Sequence, residues 1–432
     1  MSLRINKLKG NNILSPRKSE LIFLWIIFFL SFALSFFYWA RRPLYLLGAE
    51  FWIPAYTIVL MIITYTFIIK RSHSINFKIW KNPLFLPISF IILGFLLSSF
   101  TAESPLINLF YLFKFFSVVL LCFLLTETIK EEKVFYKILW VFVAIMSVLT
   151  TLGFYNFFTT EGAHNFNFDY FSTQTKTDAG IYLLLAIFCG LGLMATLKKN
   201  SLKRYLLVCM MILMGIATIL TYSRLVWFGL IFSLLYFFTT NWKKLILVTI
   251  VLLLVLVPVF VFNQRLSNRF LSTFVITKDI SSPLYSSNYL RITLLEDALK
   301  IISEHPFLGV GAGENYLFQV SKLRNIFPWT LYAHDVFLQI WADLGIFGLL
   351  GFISIIIVAI SSLLKTRKFI PFNSALRHIN RALSAVMITY TILFFVTASY
   401  LHVALWLLLG FVMISSRLAM QKHNIIPYNQ NE

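Results

Sequence analysis

The sequence predicts an all-α polytopic membrane protein of about 12 transmembrane helices with one large external loop, and three observations carry that reading. First, 59% of the 432 residues are hydrophobic and only 12% are charged, with a mean hydropathy of +0.82. A soluble surface needs about a quarter of its residues charged, so water cannot be the main solvent of this chain. Second, apolar runs long enough to cross a bilayer, about 20 residues each, recur along the whole sequence. Third, the basic residues gather in alternate connections between those runs, which is the sidedness that membrane insertion imposes.

The runs fall at 21–40, 46–69, 83–100, 105–126, 134–158, 178–197, 205–222, 225–240, 245–262, 336–364, 382–399 and 402–416. The first follows a basic tail with Arg4, Lys7, Lys9, Arg17 and Lys18 and reaches Arg41-Arg42-Pro43 without a small-residue cleavage site, so it reads as a retained span or signal anchor. Residues 382–416 are too many for one upright helix. The break around Ala398 to His402, with Arg417 and Lys422 beyond, divides them into two spans and returns the chain to its starting side. This organisation gives a membrane bundle at 1–262 (spans 1–9), a large external loop at 263–335, spans 10–12 at 336–418, and a cytoplasmic tail at 419–432.

With the amino terminus cytoplasmic, the inner segments hold 25 of the 37 lysines and arginines. Most of the formal charge of +20 therefore orients the chain and meets acidic lipid, and a nucleic-acid partner is excluded. Cys122, Cys189 and Cys209 all lie inside apolar runs and are expected to be packing residues.

The remaining basic residues lie outside or within spans, where no topological rule asks for them, and Arg265, Arg269, Lys278, Arg291, Lys300, Lys322 and Arg324 share the large loop. A loop of that length implies function or a small domain. From Tyr289 to Ser303 it carries apolar residues at helical spacing, with Ser287 or Asn288 available as a cap and His305-Pro306 as a stop. Such an amphipathic helix lies on the membrane surface or over the bundle. Gly309, Gly311 and Gly313 follow. Their backbone could approach a phosphate, but the spacing is wrong for GxGxxG and a turn that admits tight packing is the competing reading.

Three cationic or imidazole positions stand out. His334 and Asp335 open the tenth span, where a helix dipole and nearby cations lower an imidazole pKa and keep it neutral, able to accept a proton; the alternative is an interfacial histidine that caps the helix. Arg224 follows Thr221-Tyr222-Ser223 at a short break, either as an anion ligand or snorkelling to lipid phosphate. Lys114, within the fourth span, needs a partner or a wet cavity, structural or functional.

Taken together, Thr221-Tyr222-Ser223-Arg224, Arg291 leading to His305-Pro306-Phe307-Leu308-Gly309-Val310-Gly311, and His334 followed by Gly345-Ile346-Phe347-Gly348 resemble the bacterial O-antigen ligase and O-antigen polymerase superfamily. The resemblance covers roughly 205–350 by motif and the rest by its multi-span layout. It implies an inner-membrane glycosyltransferase with its active site facing the periplasm and the large loop periplasmic. The implied reaction moves a polysaccharide from undecaprenyl diphosphate to a lipid A-core acceptor, with inversion and with neither metal nor cofactor. On that resemblance Arg224 and Arg291 hold the diphosphate and His334 activates the acceptor hydroxyl, while Arg265 and Gly311 are read as further candidate donor contacts. Asp335 departs from the ligase pattern, which has Asn, Ser or Gln there; an acid beside His334 would raise its pKa or orient its ring. Planar guanidinium groups suit a diphosphate leaving group. The outer loops offer no acid or histidine cluster with metal-ligand spacing.

A polysaccharide polymerase using the same donor is the nearest alternative. A lipid-linked oligosaccharide flippase would predict internal repeats and mid-membrane polar residues, and a purely structural membrane protein leaves the external Arg and His unexplained.

Overall fold

The computed structural model describes residues 18–34, 43–46, 49–52, 55–71, 82–159, 166, 176–247, 249–250, 264, 267–268, 287–313, 315–316, 332–396 and 400–422. A backbone in hydrocarbon must satisfy its own hydrogen bonds, so apolar runs of this length become helices. They are α1 (Lys18–Leu34), α2 (Ala55–Arg71), α3 (Phe85–Ser98), α4 (Pro105–Thr128), α5 (Glu132–Thr159), α6 (Lys176–Leu193), α7 (Leu202–Leu220), α8 (Arg224–Phe238), α9 (Ser287–Glu304), α10 (Val336–Arg367), α11 (Ala375–Leu393) and α12 (Val403–Lys422).

Apart from α9, which lies in the expected loop, each helix overlaps an expected span; expected span 245–262 lies largely outside the described residues. By length and apolarity six of them qualify as spans: α4, α5, α6 with its following 3-10 turn, α7, α10 and α12. Shorter apolar helices occupy α1, α2, α3 and α8, while α11 opens with Arg377, His378 and Arg381. The protein is a multi-pass membrane protein; helix length does not establish the count of 12.

The second expected span needs correction. Its first residues form a short antiparallel hairpin, β1 (Pro43–Leu46) with β2 (Ala49–Trp52), in the register Pro43↔Trp52 and Leu46↔Ala49. Pro43, Gly48 and Pro54 punctuate this stretch, and hydropathy alone is blind to that. At the other end of the chain the long apolar stretch does divide, with α11 ending at Leu393 and α12 starting at Val403. His402 caps α12, its carbonyl accepting from Leu405 N and its Nδ1 from Ala404 N.

The core is centred on α12 and α6, whose apolar windows are 89% and 78% buried, whereas α7, at 22%, is peripheral. Cys122 and Cys189 are buried in this core, but Cys209, on outlying α7, is exposed rather than packed. Helix α3 lies tightly along α10, because lipid supplies no hydrophobic drive and small residues permit close backbone approach. A Cβ on Gly351 would sit 2.7 Å from the Pro87 carbonyl oxygen.

The connections sort into two ends. At one end Arg417 bonds the Ile129 carbonyl, Lys422 Nζ lies 3.5 Å from Glu132, and Arg381 bonds Thr239 and Thr240, which gathers the basic segments. At the opposite end the α3–α4 turn, the starts of α6, α8, α10 and α12, and the end of α11 meet. An impermeant maleimide should therefore label Glu103→Cys in intact cells, and Lys199→Cys only after permeabilisation, both in a background lacking native cysteines. Labelling of Lys199→Cys alone would invert the orientation.

Candidate functional site

Helix α10 is broken early. Gly345 has φ +65° and ψ −164°, a conformation that L side chains rarely adopt. The break leaves the carbonyls at the end of the preceding turn without their intrahelical donors, and the glycine-rich segment fills them: Val310 N donates to Ala342 O and Gly311 N to Asp343 O, each at 2.9 Å. A Cβ on Gly345 would lie 2.1 Å from the Phe307 oxygen. The segment is tied equally firmly to the α3–α4 turn. Thr101 Oγ1 donates to Gly309 O at 2.6 Å, Ala312 N to Asn108 Oδ1 at 2.8 Å, and Ser104 N to Asn315 Oδ1 at 2.7 Å. Gly311 is thus a packing and docking residue. Its single N–H donates to the Asp343 carbonyl.

This platform holds His334. The imidazole-bearing residue has φ +56°, costly for a non-glycine residue and sustained only where its surroundings over-determine it. On one side Ala333 N donates to Gln339 Oε1 at 2.8 Å; Gln339 Nε2 donates to buried Asp343 Oδ1 at 2.8 Å, and Tyr400 OH donates to Asp343 Oδ2 at 3.0 Å. On the other side the Asp335 carboxylate caps α10, accepting from Leu338 N at 2.9 Å, and Val336 N donates to Phe394 O at 2.8 Å. Burial, and after it the charge of Arg291, pulls the His334 pKa down from 6.5 to about 4. The imidazole is therefore neutral at pH 7. Asp335 is not among the groups that set that pKa, and its carboxylate instead caps α10.

Arg291 is delivered by α9, which starts at Ser287, so both candidate caps, Ser287 and Asn288, fall inside the helix, and it ends before His305-Pro306. Of its two expected placements the helix takes the bundle. Leu294, Ala298, Ile301 and Ile302 pack against Val310, Tyr316, Ala333 and Ala342, and Trp341 Nε1 donates to Pro306 O at 2.9 Å. Arg291, one turn before Leu294, is thereby brought within electrostatic reach of His334.

Arg224 is the first residue of α8, after a tight turn in which Tyr222 has φ +49° and Ser223 Oγ lies 3.1 Å from Thr177 Oγ1. Two residues on, Val226 packs on Leu184 and Leu393. Leu393 precedes Phe394, whose carbonyl receives Val336 N, so the starts of α8 and α10 flank the same end of α11. Lys114 sits over the rings of Phe110 and Tyr111, 4.6 and 4.5 Å from their centroids, and the Tyr111 ring also lies where a Cβ of Gly313 would be. Arg265 lies outside the described residues.

Two polar features at this end were missed by the sequence reading. The Gln339–Asp343–Tyr400 network is one. The other is His402, whose Nε2 is 3.2 Å from Asp178 Oδ1, with the Tyr182 ring 4.9 Å away. Because His402 Nδ1 accepts from Ala404 N, the neutral ring carries its proton on Nε2, directed at Asp178. Asp343 and Gln339 recur at helical spacing within a span, and that i, i+4 pairing was the one legible hint. Among the described residues no group of three His, Cys, Asp or Glu side chains converges as a metal site.

Residues 209–353 match a family described as O-antigen ligase. The match takes in Arg224, Arg291, Gly311, His334 and Asp335, and leaves Lys114, Asp178, Tyr400 and His402 outside. No curated protein matches the chain.

Removing the Arg291 charge should favour the imidazolium form. In Arg291→Gln the His334 pKa, followed by NMR of isotope-labelled histidine, should rise from about 4 toward 6.5 without reaching it, since burial is the larger cause. An unchanged titration would separate the two residues. Backbone strain gives a second expectation. Gly345→Ala should lose more than about 2 kcal/mol of stability in thermal melts, whereas Gly215→Ala, with open space around it, should be neutral or gain up to about 1 kcal/mol.

Proposed function

We propose that this chain, whose residues 209–353 match a family described as O-antigen ligase, is a member of the O-antigen ligase-like superfamily and transfers a polysaccharide from a polyprenyl diphosphate, undecaprenyl diphosphate, to a hydroxyl of a lipid A-core acceptor at the periplasmic face of the bacterial inner membrane. The observation that carries this reading is the pairing of a neutral, partly buried His334 with the Arg291 charge on a rigid backbone platform.

In this reading the acceptor hydroxyl attacks the anomeric carbon from the face opposite the diphosphate. The new glycosidic C–O bond forms as the C–O bond to phosphate breaks, the bonding pair leaves with the diphosphate, and the hydroxyl proton passes to an imidazole nitrogen of His334. Arg291 and Arg224 stabilise the charge growing on the leaving group, the largest catalytic contribution open to such a site. Their forked guanidinium groups match phosphate oxygens in pairs.

A base with a pKa of about 4 is neutral but weak, and the donor itself corrects this. A diphosphate bound at Arg291 opposes the charge that depresses His334, so the imidazole becomes more basic when the donor is in place. Proton abstraction is thereby coupled to donor binding. The Asp335 departure from the ligase pattern is neutral in this scheme, because Asp, Asn and Ser serve equally as helix caps.

The polymerase reading uses the same site with a growing glycan as acceptor. Purified protein with labelled donor and lipid A-core should give one glycosylated core product, and donor alone should give no lengthening of the glycan. A ladder of longer glycans from donor alone would favour the polymerase.

His334→Gln should accumulate in the membrane, still bind donor, and lose about 10²- to 10⁴-fold in transfer rate. Arg291→Lys should keep the charge but lose the fork, lowering turnover strongly at unchanged abundance. Near-normal transfer by His334→Gln in the purified assay would remove the histidine from the reaction.

A further inference from the structure

The end of the bundle opposite His334 carries a second cationic feature. Segments 239–247 and 365–381, brought together there, contain Lys243, Lys244, Lys365, Arg367, Lys368, Arg377, His378 and Arg381 and not one Asp or Glu. The arginines are held by uncharged groups. Arg377 Nη1 donates to Ile370 O at 2.7 Å and Arg367 O at 3.3 Å, and its guanidinium lies 4.9 Å from the Phe372 ring centroid. Arg381 bonds the Thr239 and Thr240 hydroxyls and lies over the Phe237 ring, and its buried Nε has no hydrogen-bond partner. The charges of Arg377, Arg381 and Lys244 all act on His378.

Carbonyls, hydroxyls and ring faces orient a guanidinium without neutralising it, so several like charges are fixed together at a mutual cost. Topology alone does not require this, since lysines on free loops satisfy the positive-inside rule. The geometry points to a bound anion, and we propose that this junction of α8, α10 and α11 holds the phosphate headgroup of an anionic phospholipid. Half-buried Arg367, Arg377 and Arg381 form the floor, and exposed Lys244 and His378 form the rim. Trp242 and Phe372, 65% and 71% exposed, flank it as aromatic side chains do at the headgroup level. That placement selects a lipid over a free phosphate, because an adjacent hydrocarbon tail has apolar helix surface to lie on, including exposed Leu364 and Ile246. The site is independent of the transfer reaction.

The test uses the full chain in neutral detergent, with phosphatidylglycerol, phosphatidylcholine, glycerol 3-phosphate or inorganic phosphate added. Phosphatidylglycerol should raise the unfolding midpoint and remain bound in native mass spectrometry, while the other three should do neither. Lys244→Gln/Arg377→Gln should weaken retention about tenfold. Lys198→Gln/Lys199→Gln, which removes the same charge from an exposed turn, should retain the lipid. If the first pair does not accumulate, Lys244→Gln/His378→Gln, which touches only the rim, should still weaken retention. Equal loss in the Lys198/Lys199 control would reduce the feature to diffuse charge and overturn the site. Equal stabilisation by inorganic phosphate or glycerol 3-phosphate would overturn the lipid assignment.

Discussion

Everything at the candidate site depends on the break in α10 at Gly345. An unbroken helix would consume the Ala342 and Asp343 carbonyls internally and leave the segment 309–311 nowhere to dock. Because the helix stops, those two carbonyls act like an exposed strand edge, and the glycine-rich segment bonds to them while also bonding to the α3–α4 turn. Two glycines make the crossing possible in opposite directions. A Cβ on Gly309 would strike Asp343, and one on Gly345 would strike Phe307. The result is a rigid non-helical layer at one end of the bundle, a type of backbone tolerated at a membrane only where protein satisfies its polar groups.

That layer converts sequence-distant residues into one electrostatic unit. Helix α9 packs its apolar face on the start of α10 and so sets Arg291 near His334. The buried Asp343 carboxylate, bridged to Gln339 and Tyr400, anchors the backbone just before His334 without touching the imidazole. For the proposed transfer, such preorganisation would put charge in place before the leaving group departs. The opposed bases at the two ends also differ in kind. At the His334 end the cations are few and placed by folded turns, while the opposite end is dense in Lys and Arg, with two arginines clamped by neutral groups.

The sequence by itself determined the class of the protein and much of its layout. Composition excludes a soluble fold, and apolar runs become helices because hydrocarbon offers a backbone no other partner, so α3 to α8 and α10 to α12 lie where hydropathy puts them. Residue chemistry also singled out Arg224, Arg291 and His334, since cations and imidazoles away from the basic end need a reason to be there. The tertiary structure alone decided what depends on contacts across long stretches of chain. It assigned Asp335 to a cap, joined the Gly311 amide to the Asp343 carbonyl, packed α9 against the start of α10, and paired His402 with Asp178. Periodicity reports which face of a segment is apolar, and propensity reports how a segment folds locally. Neither records which carbonyl a distant N–H will reach, because that partnership exists only once helices pack and one of them breaks.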